Sequence, residues 1–254
     1  MYLLIGVLIV ILFLLVWVSP VQNFVGGCQV LDIIELDSGI PGPCLGIIAG
    51  VHGNEPAGSI LLTSLIETND PLLKPSRGKI IIIPRANQCG LTHYVRNHPS
   101  RNINTHNQGY DLNRNFNEYG GVSEKSNRIA EALQHCSLIL DFHEGWGWYA
   151  AVKNKGDLTS LGSTMFGTNH PLANSVTAKT VYELNKTITD PNKKFVQLFD
   201  ESCKIESTLA CHFEKNNKAH IVIETSGQND IQPLHVRTSQ IKKVIEVARY
   251  VIHI

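Results

Sequence analysis

A short segment places an imidazole and a carboxylate three residues apart, between an apolar run and the expected start of a helix. Residues 50–58 read Gly-Val-His-Gly-Asn-Glu-Pro-Ala-Gly and contain His52 and Glu55. Zinc binds imidazole nitrogen and carboxylate oxygen at about 2.0–2.2 Å, and a hydrolytic zinc site uses three protein ligands and leaves one coordination position to water. The segment therefore predicts two of the three ligands of a catalytic zinc site.

The third ligand is expected at the end of a second buried strand. Residues 137–144 read Ser-Leu-Ile-Leu-Asp-Phe-His-Glu, so a mostly apolar run leads to an Asp-x-His sequence. His143 is the predicted third ligand, which gives one zinc ion per chain. Asp141 is the candidate for a group that orients the ligand ring or the local backbone.

Two further segments carry side chains suited to hydrolysis of an amide bond. Residues 110–116 read Tyr-Asp-Leu-Asn-Arg-Asn-Phe. A guanidinium such as that of Arg114, beside an amide, can hold a substrate carboxylate through two hydrogen bonds. Glu224 ends the apolar run at 221–223. A carboxylate there can take a proton from a zinc-activated water and return it to the departing amine.

These segments together resemble those of the zinc carboxypeptidase superfamily. The Gly-Val-His-Gly-Asn-Glu-Pro-Ala-Gly segment is most similar to the succinylglutamate desuccinylase and aspartoacylase branch, and Asp-Leu-Asn-Arg-Asn-Phe is shared with bacterial-type carboxypeptidases. The resemblance covers about residues 30–250. It implies the same three zinc ligands, a substrate carboxylate bound by Asn113 and Arg114, and Glu224 as the general base.

The family also uses an arginine, upstream of the Asp-Leu-Asn-Arg motif, that polarises the scissile carbonyl. Arg96 and Arg101 compete for this role, and we expect it to fall to Arg101. Carboxypeptidases use a mobile tyrosine upstream of the base, but no tyrosine lies between Tyr182 and Tyr250. Trp146 and Tyr149, just after the third ligand, are alternative residues for lining the pocket.

The predicted elements form a layered domain that brings strand ends together. Strands are predicted at 30–36, 45–49, 79–84, 137–144 and 219–224, and helices at 56–66, 123–133, 173–184 and within 231–254. With the resemblance, this alternation predicts an α/β three-layer sandwich whose mixed, largely parallel central sheet is flanked by helices. The polar stretch 85–121 is long enough to supply substrate-binding groups. A second polar loop region is predicted at 145–171.

The first residues of the chain favour a membrane anchor. Residues 1–19 contain no charged side chain, and about 17–25 apolar residues suffice for a helix that spans a bilayer. We predict an N-terminal transmembrane helix at 1–19, a linker at 20–29 and a zinc hydrolase domain at 30–254. A cleaved signal peptide is the alternative, although a basic n-region and a small-x-small cleavage site are missing. No Lys or Arg flanks the helix, so the side of the membrane is not predicted.

Charge and cysteine content exclude other classes of protein. Lys and Arg number 22, as do Asp and Glu, and no basic run is interleaved with aromatics, which argues against nucleic acid as a partner. The six cysteines contain no C-x-x-C pair, which argues against a thiolate zinc site. Cys203 and Cys211 can pair if the domain lies in an oxidising compartment. The histidines outside the motifs, such as His212 and His220, are predicted at the surface or in loops.

The sequence therefore predicts a membrane-anchored zinc hydrolase that cleaves an amide bond in a carboxylate-bearing substrate. The first hypothesis is a deacylase acting on a small N-acyl amino acid. The second is a zinc carboxypeptidase acting on a peptide or a peptidoglycan fragment. A third, a catalytically inactive binding module, is disfavoured because all the core residues are present.

Overall fold

The computed structural model describes residues 30–97, 111–117, 120–121, 123–153 and 161–254. Its strands are β1 (Ile34–Asp37), β2 (Cys44–Ala49), β3 (Lys79–Ile83), β4 (Phe116–Asn117), β5 (Gly120–Gly121), β6 (Leu138–Gly145), β7 (Thr164–Gly167), β8 (Val196–Leu198) and β9 (His220–Ser226). Its helices are α1 (Ala57–Glu67), α2 (Gln88–His93), α3 (Glu124–Leu133), α4 (Tyr149–Lys153), α5 (Pro171–Asn185), α6 (Leu209–Lys215) and α7 (Leu234–Ile252).

Seven strands form one mixed sheet in the order β1-β3-β2-β6-β9-β7-β8, and β4 pairs with β5 in a small separate hairpin. Strands β3, β2, β6 and β9 run parallel to one another. Strand β1 is antiparallel to β3, and β7 is antiparallel to β9. Because the four central strands are parallel, their carboxyl ends lie along one edge of the sheet, where ligand sites of α/β folds form.

The central strands are apolar on both faces because helices cover both faces. Within β3, Ile80 and Ile82 pack in one hydrophobic cluster, and Ile81 and Ile83 pack in another. The first cluster contains residues of α1, α5 and α7, and the second contains residues of α3 and α6. The predicted mixed α/β sheet flanked by helices is therefore confirmed.

The second predicted loop region contains regular structure that the sequence did not reveal. Helix α4 and strand β7 lie within residues 145–171, so the prediction of a continuous loop was wrong. Strand β7 has only four residues, which is too short for a period to be recognised. It pairs with β9, and that long-range contact decides its conformation.

Two histidines outside the motifs are buried, and the cysteine pair suggested by the sequence is formed. His212 and His220 are 6% and 0% exposed, so the prediction of surface or loop positions was wrong for both. His220 begins β9 in the centre of the sheet. Cys203 and Cys211 are joined by a disulfide bond.

No helix within the described part of the chain is long and apolar enough to cross a membrane. The predicted anchor at 1–19 and the predicted linker at 20–29 lie outside the described residues. Both therefore remain predictions.

Candidate metal centre

The loop between β2 and α1 presents His52 and Glu55 at the carboxyl edge of the sheet. Each of the two residues is 3% exposed. Gly50 has a φ of +67°, and a Cβ at Gly53 would lie 1.8 Å from the carbonyl carbon of Gly90. Glycine is the residue that accepts a positive φ and a close approach of backbone without cost. The two glycines therefore allow the tight loop that turns both side chains inward.

Strand β6 brings His143 to the same place. Ala49, the last residue of β2, pairs with Phe142 in the parallel ladder, so the loop after β2 begins beside His143. The Nδ1 atoms of His52 and His143 are 3.2 Å apart. Glu55 lies between them, with Oε1 2.9 Å from Nδ1 of His52 and Oε2 2.8 Å from Nδ1 of His143. The structure thus brings the three predicted ligands together.

The far nitrogen of each imidazole faces a carboxylate. Nε2 of His52 lies 3.2 Å from Oδ1 of Asp111, and Nε2 of His143 lies 3.2 Å from Oδ1 of Asp141. The contact between His52 and Asp111 is a hydrogen bond, and such a bond keeps the proton on Nε2 and leaves the Nδ1 lone pair for a metal ion. Among the described residues the Asp141 oxygens lie within ion-pair distance of His143 but form no hydrogen bond, so the orienting role of Asp141 stays a prediction. Asp111 was missed as a ring partner, although it stands in a recognised motif two residues before Asn113.

These donors fit a divalent zinc ion. Bonds of about 2.1 Å in a tetrahedral arrangement put ligand atoms roughly 3.4 Å apart, close to the 2.8–3.2 Å found between the donors that face each other here. Two imidazoles and one carboxylate form a three-ligand set that hydrolytic zinc sites use. Within the described residues, His52, Glu55 and His143 form the one group of this kind whose donor atoms can share an ion.

The buried charges of the centre depend on one another. Burial alone would raise the pKa of Glu55, but the imidazoles of His52 and His143 hold it far below its ordinary value. Burial alone would lower the pKa of His143, but the carboxylates of Asp141 and Glu55 raise it well above its ordinary value. A cluster with this much paired charge is a site that a cation can occupy in place of protons.

Glu224 lies next to the third ligand, on the neighbouring strand β9. His143 and Glu224 are direct partners in the parallel ladder of β6 and β9. Both line one cleft, with a volume of about 340 Å³, together with the other two ligands. Burial raises the pKa of Glu224 to about 7, against the opposing effect of the nearby His143 imidazole. A carboxyl group poised near neutral pH can both accept and donate a proton.

The predicted carboxylate-binding residues also line this cleft. Asn113 and Arg114 belong to a short helical turn after Asp111, and both line the cleft. The Asn113 side-chain oxygen accepts a hydrogen bond of 2.9 Å from the backbone N–H of Leu209. The Asn113 amide nitrogen is thereby turned away from α6. Across the described residues, Arg114 has no carboxylate oxygen within 4.0 Å, which does not favour a structural ion pair with Asp111.

Of the two arginines considered for polarising the scissile carbonyl, Arg96 lies among the described residues. Arg96 lines the cleft, with Nη1 3.3 Å from Oε1 of Glu55 and Nε 3.3 Å from Oδ2 of Asp111. Arg101, the expected residue, lies outside the described residues. The assignment of the arginine that polarises the carbonyl therefore remains a prediction.

Residues within 201–208, which the sequence analysis did not identify as part of the site, also line the cleft. Glu201, Ser202, Lys204, Ile205 and Thr208 line the cleft, and the disulfide between Cys203 and Cys211 ties this segment to α6. Trp146 also lines the cleft, as predicted, and is half exposed, whereas Tyr149 is not among the described residues that line it. The paired cysteines were the available signal for residues 201–208.

Comparisons with known proteins agree with the motifs. Residues 41–147 match the family model described as the succinylglutamate desuccinylase/aspartoacylase catalytic domain. None of the curated proteins matches the sequence.

Solved structures share the fold. Product-bound cell shape determinant protein Csd4 from Helicobacter pylori is 16% identical, with a TM-score of 0.67 over 89% of this chain and 56% of that chain. Its mDAP-bound form, described as a D,L-carboxypeptidase, is 17% identical, with a TM-score of 0.61 over 84% and 51% of the two chains. An aspartoacylase family protein from Mesorhizobium loti is 23% identical, with a TM-score of 0.53 over 88% and 62%. The chain spans little more than half the length of Csd4.

Proposed function

We propose that the chain is a zinc-dependent hydrolase of the zinc carboxypeptidase superfamily, which the family-model match over residues 41–147 and the shared fold support. The proposed reaction is cleavage of an amide bond in a substrate that bears a carboxylate, with a small N-acyl amino acid as the first substrate class. One observation carries the proposal. Three ligand side chains, a carboxylate for proton transfer and a guanidinium for substrate binding line the same cleft.

Metal binding, substrate binding and proton transfer would fall to different residues of the cleft. His52, Glu55 and His143 would hold zinc, which when bound lowers the pKa of a water molecule toward about 7 and polarises a carbonyl. Arg114 and the amide of Asn113 would bind the substrate carboxylate and fix the position of the amide bond relative to the metal. Glu224 would take the proton of the attacking water and deliver it to the amine that leaves.

The size of the cleft supports a small substrate. A volume of about 340 Å³ is at the lower end of the roughly 300–1,000 Å³ range of small-molecule sites. The family model that matches residues 41–147 is that of the deacylase branch. Both observations favour an N-acyl amino acid as the substrate.

A zinc carboxypeptidase is the second candidate. Its support is the likeness to Csd4, which has been solved in tripeptide-bound and mDAP-bound forms. An enzyme of this kind would use the same metal ligands and the same carboxylate-binding residues. The two candidates differ in whether the acyl side of the bond is a small acid or a peptide.

The purified chain can be tested for metal and turnover together. About one zinc per chain is expected, and amide hydrolysis should stop with chelator and return with added zinc. N-acyl amino acids, peptides with a free carboxyl terminus and the same peptides amidated at the carboxyl terminus form the substrate panel. Zinc binding without turnover on the whole panel would favour the inactive binding module. A chain that binds no zinc would overturn the proposal.

A further inference from the structure

We propose that Gln228 is a positioning residue for the metal ligand Glu55. The inference rests on the proposed zinc site. Gln228 begins the short helical turn that follows β9, the strand with Glu224. Its side chain is 6% exposed and lines the cleft. It belongs neither to the predicted ligands nor to the predicted substrate-binding residues.

The amide of Gln228 joins the two elements that bring ligands to the metal. Its Nε2 donates one hydrogen bond of 3.2 Å to Oε1 of Glu55 and another of 2.7 Å to the backbone carbonyl of Glu144. Its Oε1 lies 3.4 Å from the donor Nδ2 of Asn54. Glu144 directly follows the ligand His143 in β6. One side chain therefore connects the ligand on the loop to the strand that carries the other ligand.

Glu55 requires such support because it lies on a loop. Its Oε2 is held by the backbone N–H of Glu144 at 3.1 Å, so its two oxygens have separate fixed donors. An amide donates a hydrogen bond without adding charge. The same Oε1 also lies 3.3 Å from Nη1 of Arg96, so Gln228 is the uncharged one of its two side-chain N–H donors among the described residues. Groups that orient a metal ligand in this way raise affinity for the metal.

The turn that carries Gln228 is itself fixed by a buried ion pair. A Cβ on Gly227 would lie 1.4 Å from Oε2 of Glu144, so the backbone before Gln228 packs directly on that carboxylate. The carboxylate of Glu144 pairs with Arg237 of α7 and accepts a hydrogen bond of 2.6 Å from the N–H of Ala57. The position of Gln228 relative to Glu55 is thus set by β6, α1 and α7 together.

The test measures zinc affinity in the absence of any substrate. Zinc is titrated against a competing chromogenic chelator for the unmodified chain, Gln228→Met and Gln232→Met. Methionine keeps the length of the side chain and removes the donor. Gln232 is the matched control, because it lies four residues further on, is 8% exposed, and has no hydrogen bond to a ligand within the described residues. Thermal unfolding of the metal-free proteins is measured in parallel.

Gln228→Met is expected to bind zinc about 10- to 100-fold more weakly and to unfold, without metal, at nearly the temperature of the unmodified chain. Gln232→Met is expected to keep its affinity. Binding of Co²⁺ provides a second signature, because the visible absorption of cobalt depends on its ligand geometry. The cobalt spectrum should shift for Gln228→Met and stay unchanged for Gln232→Met.

Unchanged zinc affinity and an unchanged cobalt spectrum in Gln228→Met would overturn the inference and leave the proposed function standing. Equal loss of affinity in both variants, with equal loss of thermal stability, would also overturn it, because the effect would then be structural. An unmodified chain that binds no zinc would instead refute the proposed function on which the inference rests.

Discussion

The metal side and the substrate side of the cleft are built in different ways. His52, Glu55 and His143 have side chains that are 2–4% exposed, and they lie at or directly after strands of the central sheet. Arg114 lies in a short helical turn, Trp146 and Lys204 lie outside helices and strands, and the Lys204 side chain is 63% exposed. His143 is therefore fixed by strand pairing, and His52 and Glu55 by the short buried loop after β2. The proposed substrate-binding side instead uses long side chains near the surface, where loops commonly carry specificity.

Asp111 connects the two sides. Its Oδ1 lies 3.2 Å from the ring of His52 and accepts a hydrogen bond of 2.9 Å from the backbone N–H of Asn113. Burial would raise the pKa of Asp111, but His52 and Arg96 hold it well below its usual range. The same carboxylate thus contacts a proposed metal ligand and shapes the turn that presents Arg114. If the two sides are otherwise independent, substitutions on the substrate side should leave zinc content unchanged.

The largest effect is expected from His143→Ala. The substitution removes a ligand and leaves the buried carboxylates of Asp141 and Glu55 without their shared imidazole. Zinc content should fall from about one per chain toward zero, and turnover should disappear with it. Metal analysis after dialysis checks the prediction. The control is His93→Ala, which changes an exposed histidine at the end of α2; full zinc content in His143→Ala would refute the ligand assignment.

Glu224→Gln is expected to separate metal binding from catalysis. The amide keeps the size of the side chain and cannot accept the proton of the attacking water. Zinc should stay at about one per chain, while kcat should fall by about 10²- to 10⁴-fold. Parallel measurements of metal content and of initial rates at saturating substrate decide the outcome. Undiminished turnover would remove Glu224 as the base.

Arg114→Ala tests the substrate side. Loss of hydrogen bonds to a charged group costs about 1.5–3 kcal/mol, which corresponds to a rise in KM of roughly 10-fold or more. Zinc content should stay unchanged. The penalty should vanish for substrates whose carboxylate is amidated, and Arg114→Lys should recover only part of the binding because lysine cannot bind bidentately. An equal loss on free and amidated substrates would show that Arg114 does not bind the carboxylate.

The smallest effect is expected from removal of the Cys203–Cys211 disulfide. Cys203 stands between Ser202 and Lys204 of the cleft wall, and Cys211 lies in α6, whose first N–H bonds to Asn113. With both cysteines changed to serine, the wall should loosen and KM should rise a few-fold, with kcat and zinc content nearly constant. Cys136→Ser, at a free buried cysteine, controls for loss of a thiol. Unchanged KM in the double variant would show that the wall does not need the disulfide.

The same contrast explains what the sequence could predict. His52, Glu55 and His143 stand beside apolar runs whose strands are continuous in the chain, so motif and period together located them. Gln228 follows a strand in a turn without a motif, and its contact with Glu55 joins residues 173 positions apart. No local pattern encodes such a contact. Strand β7 was missed for a related reason, since four residues become a strand through pairing with β9.

The in-register pairing of His143 with Glu224 has an evolutionary consequence. Adjacent strands are held about 4.8 Å apart by their peptide hydrogen bonds, so the spacing between the proposed metal ligand and the proposed proton acceptor is a property of the main chain. Insertions, deletions and new side chains around the rim cannot change that spacing. A descendant of this chain can therefore exchange one substrate for another by remodelling its rim while it inherits the reaction intact.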